Sequence, residues 1–92
     1  MVKYKQITLD DDKKVCYIDD NPINLTKTEY LLLEYMLKHK NKIFNRKQLV
    51  SAVWNDDGTS IRAVDTSISR IRKKMGVDYI TTRTGFGYGI VD

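Results

Sequence analysis

The stretch Arg62–Met75, R-A-V-D-T-S-I-S-R-I-R-K-K-M, constrains the fold of this chain more than any other. Counting Ile61 just before it, its apolar residues are Ile61, Val64, Ile68, Ile71 and Met75. Intervals of three and four, sustained over about four turns, are the period of an amphipathic helix and not of a strand. All five residues fall on one narrow stripe. Roughly opposite lie Thr66, Arg70 and Lys73, flanked by Arg62, Ser67, Ser69 and Lys74. One face can therefore pack on a core. The other offers Arg, Lys, Ser and Thr, the side chains that bond phosphates and read base edges in a major groove. A basic polar face is as often merely a solvated one, so the rest of the chain must decide.

The 92 residues are 41% hydrophobic and 30% charged, the composition of a soluble globular domain with a modest core. No apolar run approaches the ~18 residues of a membrane span. The start, M-V-K-Y-K-Q, lacks the apolar core of a signal peptide. The single cysteine, Cys16, cannot form an internal disulfide, and the expected compartment is the cytoplasm. The net charge is +4, and its placement matters more than its size. Residues 1–61 carry ten Lys/Arg against nine Asp/Glu, whereas residues 62–92 carry six against three. The excess gathers on the amphipathic helix and the C-terminal residues after it, a modest footprint for a polyanion.

Residues 1–25 read as an antiparallel meander of three or four short strands. K-Y-K-Q-I-T-L alternates with Ile7 and Leu9 on one side, Asp10–Asp12 is a turn, and Lys14–Ile18 is the next strand. D-D-N-P at 19–22 signals a second turn, after which Ile23 and Leu25 resume a strand. Thr26-Lys27-Thr28-Glu29 is a capping box that opens a helix to about Lys38, with Tyr30, Leu33 and Leu37 on its apolar face beside Leu32 and Met36. Asn45-Arg46-Lys47-Gln48 repeats the capping logic for a shorter helix to about Trp54, whose inward face is Leu49, Val50, Val53 and Trp54. N-D-D-G-T-S at 55–60 is a loop by composition, and Thr59 or Ser60 is expected to cap the third helix. Gly76 stops that helix in the left-handed conformation. The tail is a hairpin, with Tyr79, Ile80 and Thr81 in one strand and Tyr88, Ile90 and Val91 in the other.

The order strands, three helices, hairpin gives an α+β fold: an N-terminal antiparallel sheet, a three-helix core and a C-terminal β-hairpin wing. The expectation is one domain over 1–92, divided into strands at 1–25, helices at 26–76 and the wing hairpin at 77–92. The second and third helices make a helix-turn-helix-like unit whose later helix enters a major groove, with the wing placed to reach the adjacent groove or the backbone.

Four segments now carry a resemblance: L-T-K-T-E-Y-L-L-L-E-Y-M, N-K-I-F-N-R-K-Q-L-V-S-A-V-W, R-A-V-D-T-S-I-S-R-I-R-K-K-M and T-G-F-G-Y. In this order and spacing they resemble the OmpR/PhoB family of winged-helix effector domains, over roughly residues 25–88. The resemblance implies sequence-specific double-stranded DNA binding as the output domain of a bacterial two-component response regulator, with the helix at about 61–75 in the major groove. It implies binding to direct repeats by two copies of the chain. The family's phosphorylated receiver domain has no counterpart in these residues, so the chain reads as the C-terminal half alone.

Carried over position by position, the resemblance places DNA contacts at Arg62, Ser67, Ser69, Arg70, Arg72 and Lys73. Thr66 joins them from its place opposite the apolar stripe. Arg70 is the first choice for base reading, because a guanidinium pairs bidentately with guanine. Arg62 and Lys73 suit phosphates. Arg72 stands at the stripe's edge, on the side of Asp65, where it reaches a phosphate or forms a structural ion pair. In the wing, Thr82 and Tyr88 match positions that touch the DNA backbone. Thr84 occupies the family's frequent arginine position, and Arg83 lies one residue earlier. That shift faces the other side of a strand, so Arg83 reaches DNA only through twisting at the turn. In some family members the loop between helices two and three contacts RNA polymerase, which makes Asn55, Asp56, Asp57 and Gly58 a candidate polymerase contact.

Other chemistry finds little support. One histidine, His39, and one cysteine make no metal constellation, and no cofactor is implied. The acids at 10–12, 19–20 and 56–57 lie in turns without a partnering base or nucleophile. T-G-F-G-Y-G is not succeeded by a helix that could cradle a phosphate. An enzyme is not expected. The competing function is a winged-helix protein-interaction module whose basic helix docks on an acidic partner and binds DNA only non-specifically.

Overall fold

The computed structural model describes residues 1–54 and 61–92. Four strands form an antiparallel sheet in sequential order: β1 (Val2–Tyr4), β2 (Ile7–Asp10), β3 (Val15–Ile18) and β4 (Asn21–Ile23). Three helices come next, α1 (Lys27–Lys38), α2 (Arg46–Trp54) and α3 (Arg62–Met75), and then the hairpin β5 (Thr81–Arg83) and β6 (Gly87–Gly89). This is the winged-helix order expected from the sequence.

The N-terminal run differs from the expectation in detail. K-Y-K-Q-I-T-L is not one strand: it folds back at Lys5-Gln6, where Lys5 takes φ 52° and Tyr4 pairs with Ile7. The turn at Asp19-Asp20 has both residues at positive φ, 50° and 67°, the geometry of a tight two-residue hairpin. β4 then begins earlier than expected and ends before Leu25. It can include Pro22, which has no N–H to donate, because β4 is an edge strand. Ile7, Leu9, Cys16 and Ile18 point into the core together, as the period-two pattern requires.

Both expected caps are present. Thr26 Oγ1 accepts from the Glu29 amide at 3.2 Å, and Glu29 Oε1 accepts from the Thr26 amide at 3.0 Å. Asn45 and Gln48 repeat the exchange at 2.8 Å in each direction. The buried faces are Tyr30, Leu32, Leu33, Met36 and Leu37 on α1, Leu49 and Val50 on α2, and Val64, Ile68, Ile71 and Met75 on α3. Val53 and Trp54 pack against this core only in part. Ile61 does not join the stripe: it is 52% exposed at the N-cap position. At ~100° per residue it stands only about 50° off the centre of the other four, so its angle alone does not expose it; it precedes the first residue of α3, at the end of the packed stripe. Gly76 closes α3 at φ 72°, as expected. Capping by Thr59 or Ser60 lies outside the described residues.

The wing hairpin is shorter than expected. Tyr79 and Ile80 precede β5, and Ile90 and Val91 come after β6. Ile80 and Ile90 have backbone groups engaged elsewhere. The Ile80 carbonyl accepts from Arg72 and its amide donates to Asp78, while the Ile90 carbonyl accepts from the Asn41 amide. Pairing starts at Thr81 opposite Gly89 and continues through Thr82 opposite Tyr88 and Arg83 opposite Gly87. On its other edge the wing bonds the α1–α2 connector, where Phe44 and Tyr88 exchange backbone hydrogen bonds of 2.9 and 3.0 Å.

Candidate nucleic-acid interface

α3 lies between two flanks, and the residues on each are set by helical arithmetic. On the α1 flank, Lys74 Nζ meets Glu29 Oε1 at 2.7 Å. Glu29 is almost fully buried. Burial raises its pKa, but the hydrogen bonds from Lys74 and Thr26 outweigh it and hold the carboxyl below its ordinary range. On the wing flank stand Asp65 and Arg72. Asp65 Oδ1 accepts from the Tyr88 hydroxyl at 2.5 Å and from Arg46 Nε at 2.7 Å. Those two bonds lower the Asp65 pKa against the opposing effect of burial. The Arg46 guanidinium also lies 5.6 Å from the centre of the Tyr88 ring. Arg72 donates through Nε to Asp78 at 2.9 Å and through Nη2 to the Ile80 carbonyl at 2.6 Å and Thr82 Oγ1 at 2.8 Å.

Between the flanks, the outward face of α3 carries Arg62, Thr66, Ser69, Arg70 and Lys73, all exposed. Thr66 Oγ1 donates back to the Arg62 carbonyl at 3.3 Å, a local bond that leaves its side chain at the surface. Ser67 is half-buried and turns toward α1. With Thr26, Thr28, Trp54, Ala63, Thr66 and Arg70 it lines a shallow groove along that flank. Asp65 sits in the first turn of α3, and Arg72, Lys73 and Lys74 sit in the last, each charge favourable to the helix dipole.

The structure thus gathers Arg62, Thr66, Ser69, Arg70 and Lys73 on one surface with Ser67 at its edge. It places Arg72, Thr82 and Tyr88 at the seam between α3 and the wing. There Tyr88 is buried, and each of the three has a side-chain hydrogen bond within the chain. Arg83 and Phe86 lie at the exposed wing tip, where they line a shallow groove with Ile43, Asn45 and Gln48. Asn55, Asp56, Asp57 and Gly58 fall outside the described residues. Sequence reasoning missed Arg46, which comes from the start of α2 to neutralise Asp65. The signal was Asp65 itself, the one acid within the basic run 62–74. It also missed Asp78 as the ion-pair partner of Arg72.

Among the described residues, no group of three or more His, Cys, Asp or Glu could hold a metal ion. No helix there is long and apolar enough to cross a membrane.

Residues 20–90 match the family described as transcriptional regulatory protein, C terminal. The chain is 35% identical to the transcriptional regulatory protein SrrA of Staphylococcus aureus over 95 aligned residues, covering 96% of this chain but 39% of that relative. Its fold is similar to the DNA-binding domain of the response regulator AdeR, solved in complex with an intercistronic region. There the TM-score is 0.88 and the identity 30%, across 100% of this chain and 99% of that one. The DNA-binding domain of CpxR from E. coli is also similar, with TM-score 0.85 and 26% identity over 98% and 94% of the two chains. A Thermotoga maritima OmpR/PhoB homolog, the response regulator DrrB, aligns at TM-score 0.87 and 29% identity over 98% of this chain and 43% of its own.

Proposed function

The chain belongs to the transcriptional regulatory protein C-terminal family, the OmpR/PhoB-type effector domains, and from that premise we propose that it binds double-stranded DNA sequence-specifically as the output domain of a response regulator. It spans about two fifths of the length of the S. aureus relatives it matches, 39% of each, so the activity of any whole regulator is part of this proposal. The observation that carries the reading is the exposed face of α3, basic and hydroxyl-bearing, held between a helix flank and a wing. A major groove about 12 Å wide admits one helix, and this face offers it the residue types that read bases and bond phosphates.

Within that face Arg70 reads a base edge, supported by Ser69, Ser67 and Thr66. Arg62 and Lys73 neutralise phosphates and release counterions. Arg83 at the exposed wing tip reaches the neighbouring groove or backbone. Arg72, Thr82 and Tyr88 lie beside the DNA, each with a side-chain hydrogen bond already made within the chain. Two copies bind direct repeats side by side. A contact with RNA polymerase through residues 55–58 rests on the family resemblance alone. The family is one of transcription regulators and not of enzymes.

Selection from a random duplex pool tests this reading. Enrichment of one repeated consensus, bound with a steep loss of affinity as salt rises, supports it. A pool that stays random, bound weakly and without preference, would instead favour a protein-interaction module.

A further inference from the structure

Thr82 and Tyr88 face each other directly across the wing. Each is tied to α3, but at a different height. Tyr88 donates to Asp65 at 2.5 Å, and Arg72 donates to Thr82 at 2.8 Å. Asp65 and Arg72 are seven residues apart, so they lie two turns or ~10 Å apart along the helix axis and about 20° apart around it. One rung of the wing is therefore held at two points along one flank of α3. Additional bonds stiffen both points: Arg46 to Asp65 at one, Asp78 and the Ile80 carbonyl to Arg72 at the other. The Phe44–Tyr88 bridge attaches the opposite edge of the hairpin to the α1–α2 connector. That bridge alone would act as a hinge line. Two further points along the helix remove the remaining freedom to swing.

We infer that Asp65 and Arg72 are positioning residues that set the angle of the wing to α3. Resting on the DNA-binding reading, this makes them determinants of the register between what the helix touches and what the wing tip touches. Arg72 engages partners through both Nε and Nη2, in directions that a single ammonium cannot reproduce. Lysine at position 72 keeps the charge but loses the geometry. The substitution therefore separates positioning from direct phosphate contact.

The test compares the wild-type chain with Arg72→Lys, Arg72→Ala, Asp65→Ala and Asp65→Asn. One readout needs no DNA: amide hydrogen exchange of residues 81–89 relative to the amides of α1. The other is the affinity ratio between the selected duplex and a scrambled one, with its salt slope. Arg72→Lys and Asp65→Ala are expected to speed wing exchange on the order of tenfold beyond any change in α1, the scale of losing a charge-assisted bond. Both should lower the specific-to-scrambled ratio comparably; Arg72→Lys, which keeps the charge, should leave affinity for scrambled DNA and the salt slope unchanged, whereas Asp65→Ala removes an acid from α3 and should raise affinity for scrambled DNA. Asp65→Asn keeps a carbonyl acceptor but not the charge and should speed wing exchange by less than Asp65→Ala does.

Wing exchange untouched by Arg72→Lys and Asp65→Ala would overturn the two-point attachment. So would wild-type DNA binding by Arg72→Lys alongside a salt slope reduced by about one in Arg72→Ala, since that marks Arg72 as a phosphate contact. A wild-type chain that binds every duplex alike would overturn the DNA-binding reading. Wing exchange would still decide the attachment.

Discussion

Lys74, in the last turn of α3, donates to the Glu29 carboxylate in the first turn of α1 across 2.7 Å, and the same Glu29 oxygen caps α1 through the Thr26 amide. One buried carboxylate thus joins the start of the first helix to the end of the third. Lys74→Ala leaves Glu29 with Thr26 alone and no cation beside it. It should cost about 1–3 kcal/mol in chemical denaturation, the scale for weakening a buried charged hydrogen bond. The Glu29 pKa is depressed in the folded chain, so its contribution is complete above the ordinary glutamate value and is lost as pH falls through the lower folded value. Lys74→Ala should raise that folded pKa. An unchanged midpoint of unfolding at pH 7 would contradict the pairing.

Asp65 carries a similar signature at the wing. Its pKa is lowered by the bonds from Tyr88 and Arg46, so its stabilisation is present above about pH 4 and fades as pH falls through the folded value. The carboxylate is partly exposed, which limits the effect to ~1 kcal/mol or less. Denaturation of wild type and Asp65→Asn between about pH 7 and pH 2.5 should show a small gap that closes in acid. A gap that widens as pH falls would contradict the assignment.

Gly89 sits where the wing meets the connector. A Cβ there would stand 2.0 Å from the Lys42 carbonyl oxygen, and at Gly87, with φ 146°, it would stand 1.9 Å from the Phe44 oxygen. Both obstacles are backbone and cannot rotate away. Gly89→Ala should destabilise by about 1–3 kcal/mol and disrupt the Phe44–Tyr88 bridge, visible as faster exchange of the Phe44 and Tyr88 amides. Gly85→Ala at the open wing tip has nothing within 4 Å to strike and should cost about 1 kcal/mol or less, from its positive φ alone. Equal costs at the two positions would contradict the close approach.

Cys16 is 1% exposed in β3, and burial pushes its thiol up to about 11. Thiol reagents at about pH 8 should leave the folded chain unmodified and react as denaturant opens it, because the thiolate is the nucleophile. Prompt labelling of native protein would contradict this placement.

The helices were legible because their signals are local. Thr26 with Glu29 and Asn45 with Gln48 each lie within one turn, and the α3 stripe repeats at the helical period. The N-terminal sheet was legible in its inward residues but not its boundaries. Positive φ at Lys5, Asp19 and Asp20 sets those turns, and none of the three is glycine. The wing was the least legible element. Its strand ends depend on Arg72, Asp78 and Asn41 taking backbone groups from Ile80 and Ile90, partners that no periodicity reveals. For the candidate interface, spacing alone found the outward residues of α3. It could not show that Arg72, Thr82 and Tyr88 bond within the chain, since those bonds join the helix to the wing.

The measurement that bears most directly on DNA reading by α3 is a paired titration of Arg70→Ala and Lys73→Ala, on the selected duplex and on a scrambled one, at several salt concentrations. If α3 enters the major groove as proposed, Arg70→Ala costs about 1–3 kcal/mol on the selected duplex and relaxes preference at one base position. Lys73→Ala then weakens both duplexes alike and lowers the salt slope by about one. Identical behaviour of the two variants on both duplexes would contradict base reading by Arg70 and with it this orientation of α3.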